Sequence, residues 1–272
     1  EQAGVHVIYG VRNFKTHAKT LIVIRREPQG ICRYMHFGTG NYNEATARLY
    51  TDISLFTCDP VLGNDAIAFF NAVTGRTQPQ RLDSLCMAPL GMRQRILDLI
   101  AFETQQAVKG RESGITAKLN SLVDPQIIKA LYKASQAGVK IELNVRGVCC
   151  LQPNVAGQSE NIRVISIIDR LLEHSRIMHF VHAGEQRVFI SSADWMPRNL
   201  DRRIELLVPV HSQSGKEFLL DSLRSNMADN QKGHELQNTG SYQRISVEGV
   251  PPHHSQQFLY QQACDSAKQV QQ

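Results

Sequence analysis

Apolar and polar positions change period several times along the chain, and each change marks an element. Residues 5–9 alternate and are β-branched, which predicts a strand. Residues 19–25, dense in Leu, Ile and Val, predict a buried strand, Gln29-Gly30 a turn, and residues 32–37 a strand pairing back. A short helix is expected over 43–49 and a clearer one over 65–73. The stretch 75–83, with Pro79 and several Gln and Arg residues, reads as a linker. A helical period follows over 92–109, with Ile96, Leu99, Ile100 and Ala107 on one face. Next come a strand over 115–119 and a helix opened by Asp124 as N-cap with Pro125 at N1. That helix closes at Gly138, and a strand over 139–145 completes a β-α-β unit. Further strands are expected at 163–168, 177–180, 188–190 and 204–209, and a helix at 218–227. From Asn230 onward the sequence is polar, expected to be irregular, and ends in a Gln-rich stretch. Strands alternating with helices predict an α/β fold.

Laying the two halves together exposes an internal repeat. The first half has His17-Ala18-Lys19 entering a strand, a second strand, Gly38-Thr39-Gly40-Asn41-Tyr42, then Arg48 and Asp52. The second has His174-Ser175-Arg176 entering a strand, another strand, Ser191-Ser192-Ala193-Asp194-Trp195, then Arg202 and Glu205. Asn41 to Asp52 spans eleven positions, as does Asp194 to Glu205. Two similar α/β units packed face to face would bring both histidines to one cleft. Lys19 shares a strand face with His17. Small residues at 38–40 and 191–193 let backbone approach a ligand and offer N–H donors to an anion. Asp52 and Glu205 are positioned to hold the imidazoles by one ring nitrogen, leaving the other free.

Composition narrows the classes. The 272 residues make about two domains, and 42% hydrophobic with 20% charged residues excludes wholesale disorder and coiled coil. No apolar run approaches the roughly 18 residues of a membrane span. Lys and Arg number 30 against 25 acids, a net +5 that favours an anionic partner. Six cysteines form no CxxC pair, which fits reduced thiols rather than a zinc site or disulfide framework. The chain opens Glu-Gln-Ala-Gly with no initiator Met or signal segment, and is expected to be cut from a longer protein.

The paired His-x-base motifs resemble the phospholipase D superfamily, in which two His-x-Lys motifs build one site. The match departs where that family has Asp: Ile24 and Val181 stand there, and Arg176 replaces the second Lys. Longer words are more specific. Lys15-Thr-His-Ala-Lys19, Tyr34-Met-His-Phe-Gly-Thr-Gly-Asn-Tyr-Asn43, Thr46-Ala-Arg-Leu-Tyr-Thr-Asp52 and Ser113-Gly-Ile-Thr-Ala-Lys-Leu-Asn120 closely resemble bacterial polyphosphate kinases. So do Val145-Arg-Gly147, Leu172-Glu-His174 and Ser191-Ser-Ala-Asp-Trp-Met196. The resemblance implies two phospholipase D-like α/β units: the C-terminal part of a first one over 1–80, truncated at its N-terminus, and a second over 85–228. A polar tail over 229–272 stays unassigned.

The same resemblance implies reversible transfer of the terminal phosphate of ATP to inorganic polyphosphate through a phosphohistidine. His17 would be the nucleophile, with Tyr50, Arg146 and His174 contacting ATP, and His174 also exchanging a proton. It further implies Mg2+ bound with the nucleotide by ligands outside this stretch, a cytoplasmic or peripherally membrane-associated homo-oligomer, and no nucleic-acid partner. The residues agree chemically: neutral imidazole attacks phosphorus well near neutral pH, and phosphoryl transfer needs mainly positioning and cationic charge. Lys15, Lys19 and Arg48 are the first candidates for phosphate contacts, with Arg176, Arg198, Arg202 and Arg203 behind them. Glu173 beside His174 is expected to repel phosphate and favour proton transfer there. A phosphodiesterase or nuclease, and a non-catalytic polyanion-binding module, are the alternatives. The stretch alone is expected to have little kinase activity.

Overall fold

The computed structural model describes residues 1–75, 77–78, 81–246 and 249–270. In chain order the elements are β1 (Lys15–Thr16), β2 (Lys19–Glu27), β3 (Gly30–Gly38), α1 (Glu44–Ala47), β4 (Tyr50–Thr51), β5 (Ser54–Thr57) and α2 (Pro60–Val73). There follow β6 (Cys86–Ala88), α3 (Met92–Val108), β7 (Gly114–Leu119), α4 (Pro125–Gln136), β8 (Lys140–Val145), β9 (Ile162–Ile167), β10 (Leu172–Glu173) and β11 (Ile177–Phe180). The rest comprises β12 (Arg187–Ser191), α5 (Pro197–Arg202), β13 (Arg203–Pro209), α6 (Gln213–Met227), β14 (Gly233–Leu236), β15 (Tyr242–Arg244) and α7 (Ser255–Val270).

The expected α/β architecture is the one found. A ten-stranded sheet runs β1-β13-β12-β11-β7-β8-β9-β14-β15, with β6 also on β13, and a separate three-stranded sheet runs β2-β3-β5. The β7-α4-β8 unit is parallel, as the crossover requires. Asp124 caps α4 through Gln126 N and Ile127 N, at 3.0 and 3.1 Å, with Pro125 in the first turn. The same Asp-Pro signal starts α2 at Pro60, earlier than the apolar period alone indicates, because Asp59 accepts from Val61 N and Leu62 N.

Two readings need correction. Residues 5–9 form no strand: no described neighbour pairs with them, and Val5 and Tyr9 stand exposed. The polar C-terminal stretch is not irregular. His234 pairs with Ser166, so β14 extends the sheet beyond β9, and α7 packs on α6. Polar composition hid both elements because tertiary bonds anchor them: buried Asp229 accepts from Ser255 N and Oγ, at 2.8 and 2.7 Å. Of the expected linker 75–83, Arg76, Pro79 and Gln80 lie outside the described residues. No helix among the described residues is long and apolar enough to cross a membrane.

One core cluster joins α3 and α4 to the large sheet through Ile96, Ile100, Ile127, Leu131, Leu143 and Trp195. The other mixes both halves: Met35, Phe37, Leu62 and Phe69 pack with Ile190, Leu206, Val208 and Leu219. The halves are therefore joined by shared apolar burial. They are also tied where the chain passes between them, since buried Asp65 on α2 accepts from Asp83 N, Ser84 N and Leu85 N at 2.9, 2.7 and 2.8 Å. Asp65→Ala strands three donors and should lower stability by about 3 kcal/mol. Urea unfolding of the purified chain measures it; a change below about 0.5 kcal/mol would show that water replaces the carboxylate.

Candidate active site

Two short parallel bridges place the histidines. Lys15 and Thr16 of β1, from the first half, pair with Arg203 and Ile204 at the start of β13 in the second. Leu172 and Glu173 of β10, from the second half, pair with Tyr50 and Thr51 of β4 in the first. The residue after each bridge is a histidine on one strand and an acid on the other. His17 Nδ1 lies 2.8 Å from Glu205 Oε2, and His174 Nδ1 lies 2.8 Å from Asp52 Oδ1. Each half thus holds the histidine of the other. Backbone bonds fix the approach: His17 N and Ala18 N both donate to Ile204 O at 2.9 Å, and His174 N donates to Thr51 O at 3.3 Å.

A matching pair of hydroxyls holds the acids. Thr39 Oγ1 donates to Asp52 Oδ1 at 2.6 Å and accepts from Ile53 N at 3.0 Å. Ser192 Oγ donates to Glu205 Oε2 at 2.5 Å and accepts from Leu206 N at 3.0 Å. Acid follows hydroxyl by thirteen residues in both halves. Gly40 is needed beside Asp52, because a Cβ there would overlap the carboxylate. An ionised carboxylate only accepts, so Nδ1 of each ring is the donor, and in the neutral ring the lone pair falls on Nε2. Among the described residues His17 Nε2 has no hydrogen-bond partner. That is the tautomer a nucleophilic imidazole requires.

The bases two residues on also match, up to a point. Lys19 Nζ donates to His17 O at 2.6 Å and Arg176 Nη1 to His174 O at 2.9 Å. Arg176 is then locked: Asp194 Oδ2 accepts from its Nη2 at 3.0 Å, and both side chains are buried. Nη1 lies 3.4 and 3.1 Å from the two ring nitrogens of His174 at once. With Nδ1 donating to Asp52, only Nε2 can accept, so Nη1 is placed to donate to Nε2 at 3.1 Å. The first half has neutral, exposed Asn41 where the second has Asp194, which leaves Lys19 without that lock. Burial pulls the Lys19 ammonium down to about 8, against the opposing pull of Glu205 and Asp52.

The other expected contacts divide. Tyr50 sets its ring 4.9 Å from that of His174, tilted by 46°. Arg146 donates from Nε to Asn120 Oδ1 at 2.8 Å, and burial together with Arg176 lowers its basicity. Gly147 allows this, since a Cβ there would crowd Asn120 O. Lys15 is exposed on β1. Arg48 is 76% exposed and paired along α1 with Glu44 at 2.6 Å, so the structure does not bring it to the histidines. Arg198 and Arg202 are exposed, whereas Arg203 approaches Glu205 to 4.0 Å. Glu173 does not act on His174 as expected. It is ion-paired with buried Lys118 and bonded to Thr51 Oγ1 at 3.1 Å, so its charge is compensated. Away from this centre, His254 bonds Asp169, and His253 lies 2.9 Å from Ser225 Oγ.

Sequence reading placed Asp194 in the repeat without a role; it also accepts from Asn120 N at 2.7 Å and so joins Arg176 to the Arg146 loop. The hydroxyls of Thr39 and Ser192 were likewise left without a role; their common spacing from the acids was the available signal. Among the described residues no three His, Cys, Asp or Glu side chains converge on a point. Asp52 and Glu205 are committed to imidazoles and hydroxyls. These residues do not fit a magnesium site.

Comparison with known proteins gives the family. Residues 1–79 match the family model "Polyphosphate kinase C-terminal domain 1", and residues 85–256 match "Polyphosphate kinase C-terminal domain 2". The chain is 58% identical over 269 residues to a polyphosphate kinase of Rhodopirellula baltica, covering 98% of this chain and 32% of that protein. It is 53% identical over 242 residues to one from Synechocystis sp., covering 89% and 33%. The crystal structure of polyphosphate kinase from Porphyromonas gingivalis superposes with a TM-score of 0.93 at 35% identity, covering 98% of this chain and 42% of that one. A phosphatidylserine synthase from Haemophilus influenzae shares the fold at a TM-score of 0.52 and 11% identity, over 88% of this chain and 68% of its own. The chain spans about a third of the length of these curated relatives. With both domain models matched in order and identity above half, the chain belongs to the polyphosphate kinase family.

Proposed function

We propose that this chain supplies the histidine centre of an enzyme that reversibly transfers the terminal phosphate of ATP to inorganic polyphosphate. The observation that carries the reading is His17: Nδ1 held by a buried carboxylate, Nε2 free, and a partly desolvated lysine beside it. Nε2 attacks the γ-phosphorus, an N–P bond forms as the bond to the β–γ bridging oxygen breaks, and ADP leaves with that electron pair. A terminal oxygen of polyphosphate then takes the phosphoryl group and restores the imidazole. Glu205 stabilises the ring while it carries the extra charge. Lys19 neutralises equatorial oxygens, and locked Arg176 with Arg146 offers fixed cations to the nucleotide phosphates. Tyr50 supports adenine contact from its place against His174. Magnesium would neutralise the nucleotide phosphates, and its ligands belong to the part of the enzyme outside this chain.

The test uses a polypeptide of the relatives' full length carrying this chain, incubated with γ-labelled ATP and scored for acid-labile, base-stable label. His17→Ala should abolish the label. His174→Ala should slow labelling by about 10²–10⁴-fold if it moves a proton, and stable label on His174 in the His17→Ala protein would reverse the roles. Diester cleavage without ATP would instead favour a phosphodiesterase.

Lys19 sets a second expectation. Its folded pKa near 8 leaves it charged below that pH and neutral above, so labelling should decline as pH rises through about 8. Lys19→Arg should hold its rate to pH 9 and above. A decline at the same pH in that variant would remove Lys19 as the titrating group.

A further inference from the structure

The start of α7 does more than end the fold. Gln256 faces the segment that leads into His174, and its amide meets both main-chain polar groups of one residue, Leu171. Its Oε1 accepts from Leu171 N at 3.0 Å, and its Nε2 donates to Leu171 O at 2.8 Å and to Glu173 Oε1 at 2.6 Å. The side chain thus pairs with β10 from the side opposite β4, as a strand neighbour would. The other carboxylate oxygen of Glu173 takes Thr51 Oγ1 and Lys118, and Lys118 reaches Ser175 Oγ at 2.8 Å. The residues on both sides of His174 are therefore fixed by one connected, largely buried network. Its far end is anchored separately, through Ser255 on Asp229 and His254 on Asp169.

We infer that Gln256 is a positioning residue for the second histidine: it clamps β10 from Leu171 to Glu173 and so holds His174 Nδ1 on Asp52. The inference rests on the proposed function only for its catalytic consequence. The clamp acts where small errors matter, because β10 pairs with β4 over two residues and His174 N reaches Thr51 O at a long 3.3 Å. The bridge has one short backbone bond, Leu172 N to Leu49 O at 2.8 Å, at its far end, and at the histidine itself only long ones, His174 N to Thr51 O and Oγ1 at 3.3 Å, so its ring end is the weakly held one. A displacement near 1 Å at a catalytic group is enough to cost on the order of 10²-fold in rate. The equivalent segment before His17 needs no such strap, since His17 N and Ala18 N share Ile204 O at 2.9 Å.

The test is nitrogen-15 and proton spectroscopy of the histidine rings in this chain, which reads the His174 Nδ1–H bond to Asp52 without requiring turnover. Gln256→Met keeps length and bulk but removes all three bonds. Gln256→Glu keeps an acceptor for Leu171 N and sets a carboxylate against Glu173. Exchange of the His174 Nδ1 proton should quicken at least tenfold in Gln256→Met and further in Gln256→Glu, with His17 unchanged in both. Gln261→Ala, on the exposed face of α7, should match the unaltered chain. A Gln256→Met protein whose His174 proton exchanges as in the unaltered chain would reduce Gln256 to packing and overturn the inference. Equal quickening at His17 and His174 would overturn it too, since that marks general loosening. Loss of γ-phosphate labelling at His17 bears on the proposed function and leaves this readout standing.

Discussion

The site depends on one reciprocal interaction, the carboxylate of each half bonded to the imidazole of the other. A carboxylate on Nδ1 fixes both the tautomer and the plane of a histidine, and with them the direction of the Nε2 lone pair. In this chain that function is exchanged between halves by two-residue parallel bridges, β1 on β13 and β10 on β4, whose register runs straight into the His–acid pairs. The shared apolar cluster of Phe37, Leu62, Leu206 and Val208 holds the bridges together. Burial of Glu205 would be costly for an unpaired charge, and the His17 ring and Ser192 hydroxyl compensate it.

Symmetry stops at the bases, and function follows that difference. Arg176 is held by Asp194 and bonded at the ring of His174, whereas Lys19 has Asn41 in the corresponding place and sits buried on His17 O. A cation locked by a carboxylate suits a group that binds and orients; an ammonium with no carboxylate bonded to it suits a phosphoryl group that arrives and departs. The distinction between the two histidines therefore lies two residues along the strand and across the sheet. Glu173, the sequence neighbour expected to make that distinction, is occupied by Lys118 and Gln256.

Much of this was legible in the sequence, for reasons that can be stated. The strands from Lys19 and Gly30, the β7-α4-β8 unit and the strands around His174 carry strong apolar periods, caps and turn residues, so local chemistry fixes them. The repeated order of His, base, small turn and acid marked His17, His174, Asp52 and Glu205. It did not reveal that the acids are exchanged, because pairing across halves is a property of register rather than spacing. Residues 5–9 have strand chemistry but no strand neighbour among the described residues. The opposite failure occurred at β14 and α7, where polar residues are ordered by Asp229 and by strand pairing. Arg48 lies in a motif word, yet Glu44 one turn away holds it at the surface.

The exchanged bridges also bear on what can be inherited or transplanted. Neither half is a self-sufficient module: a first half moved into another protein would bring His17 and leave behind the acid that orients it, and would bring Asp52 without a ring to hold. A chimera joining the halves of two relatives has to keep β1 matched to β13 and β4 matched to β10. Selection on either acid is thus selection on the opposite half, and the smallest heritable unit of this chemistry is the interlocked pair.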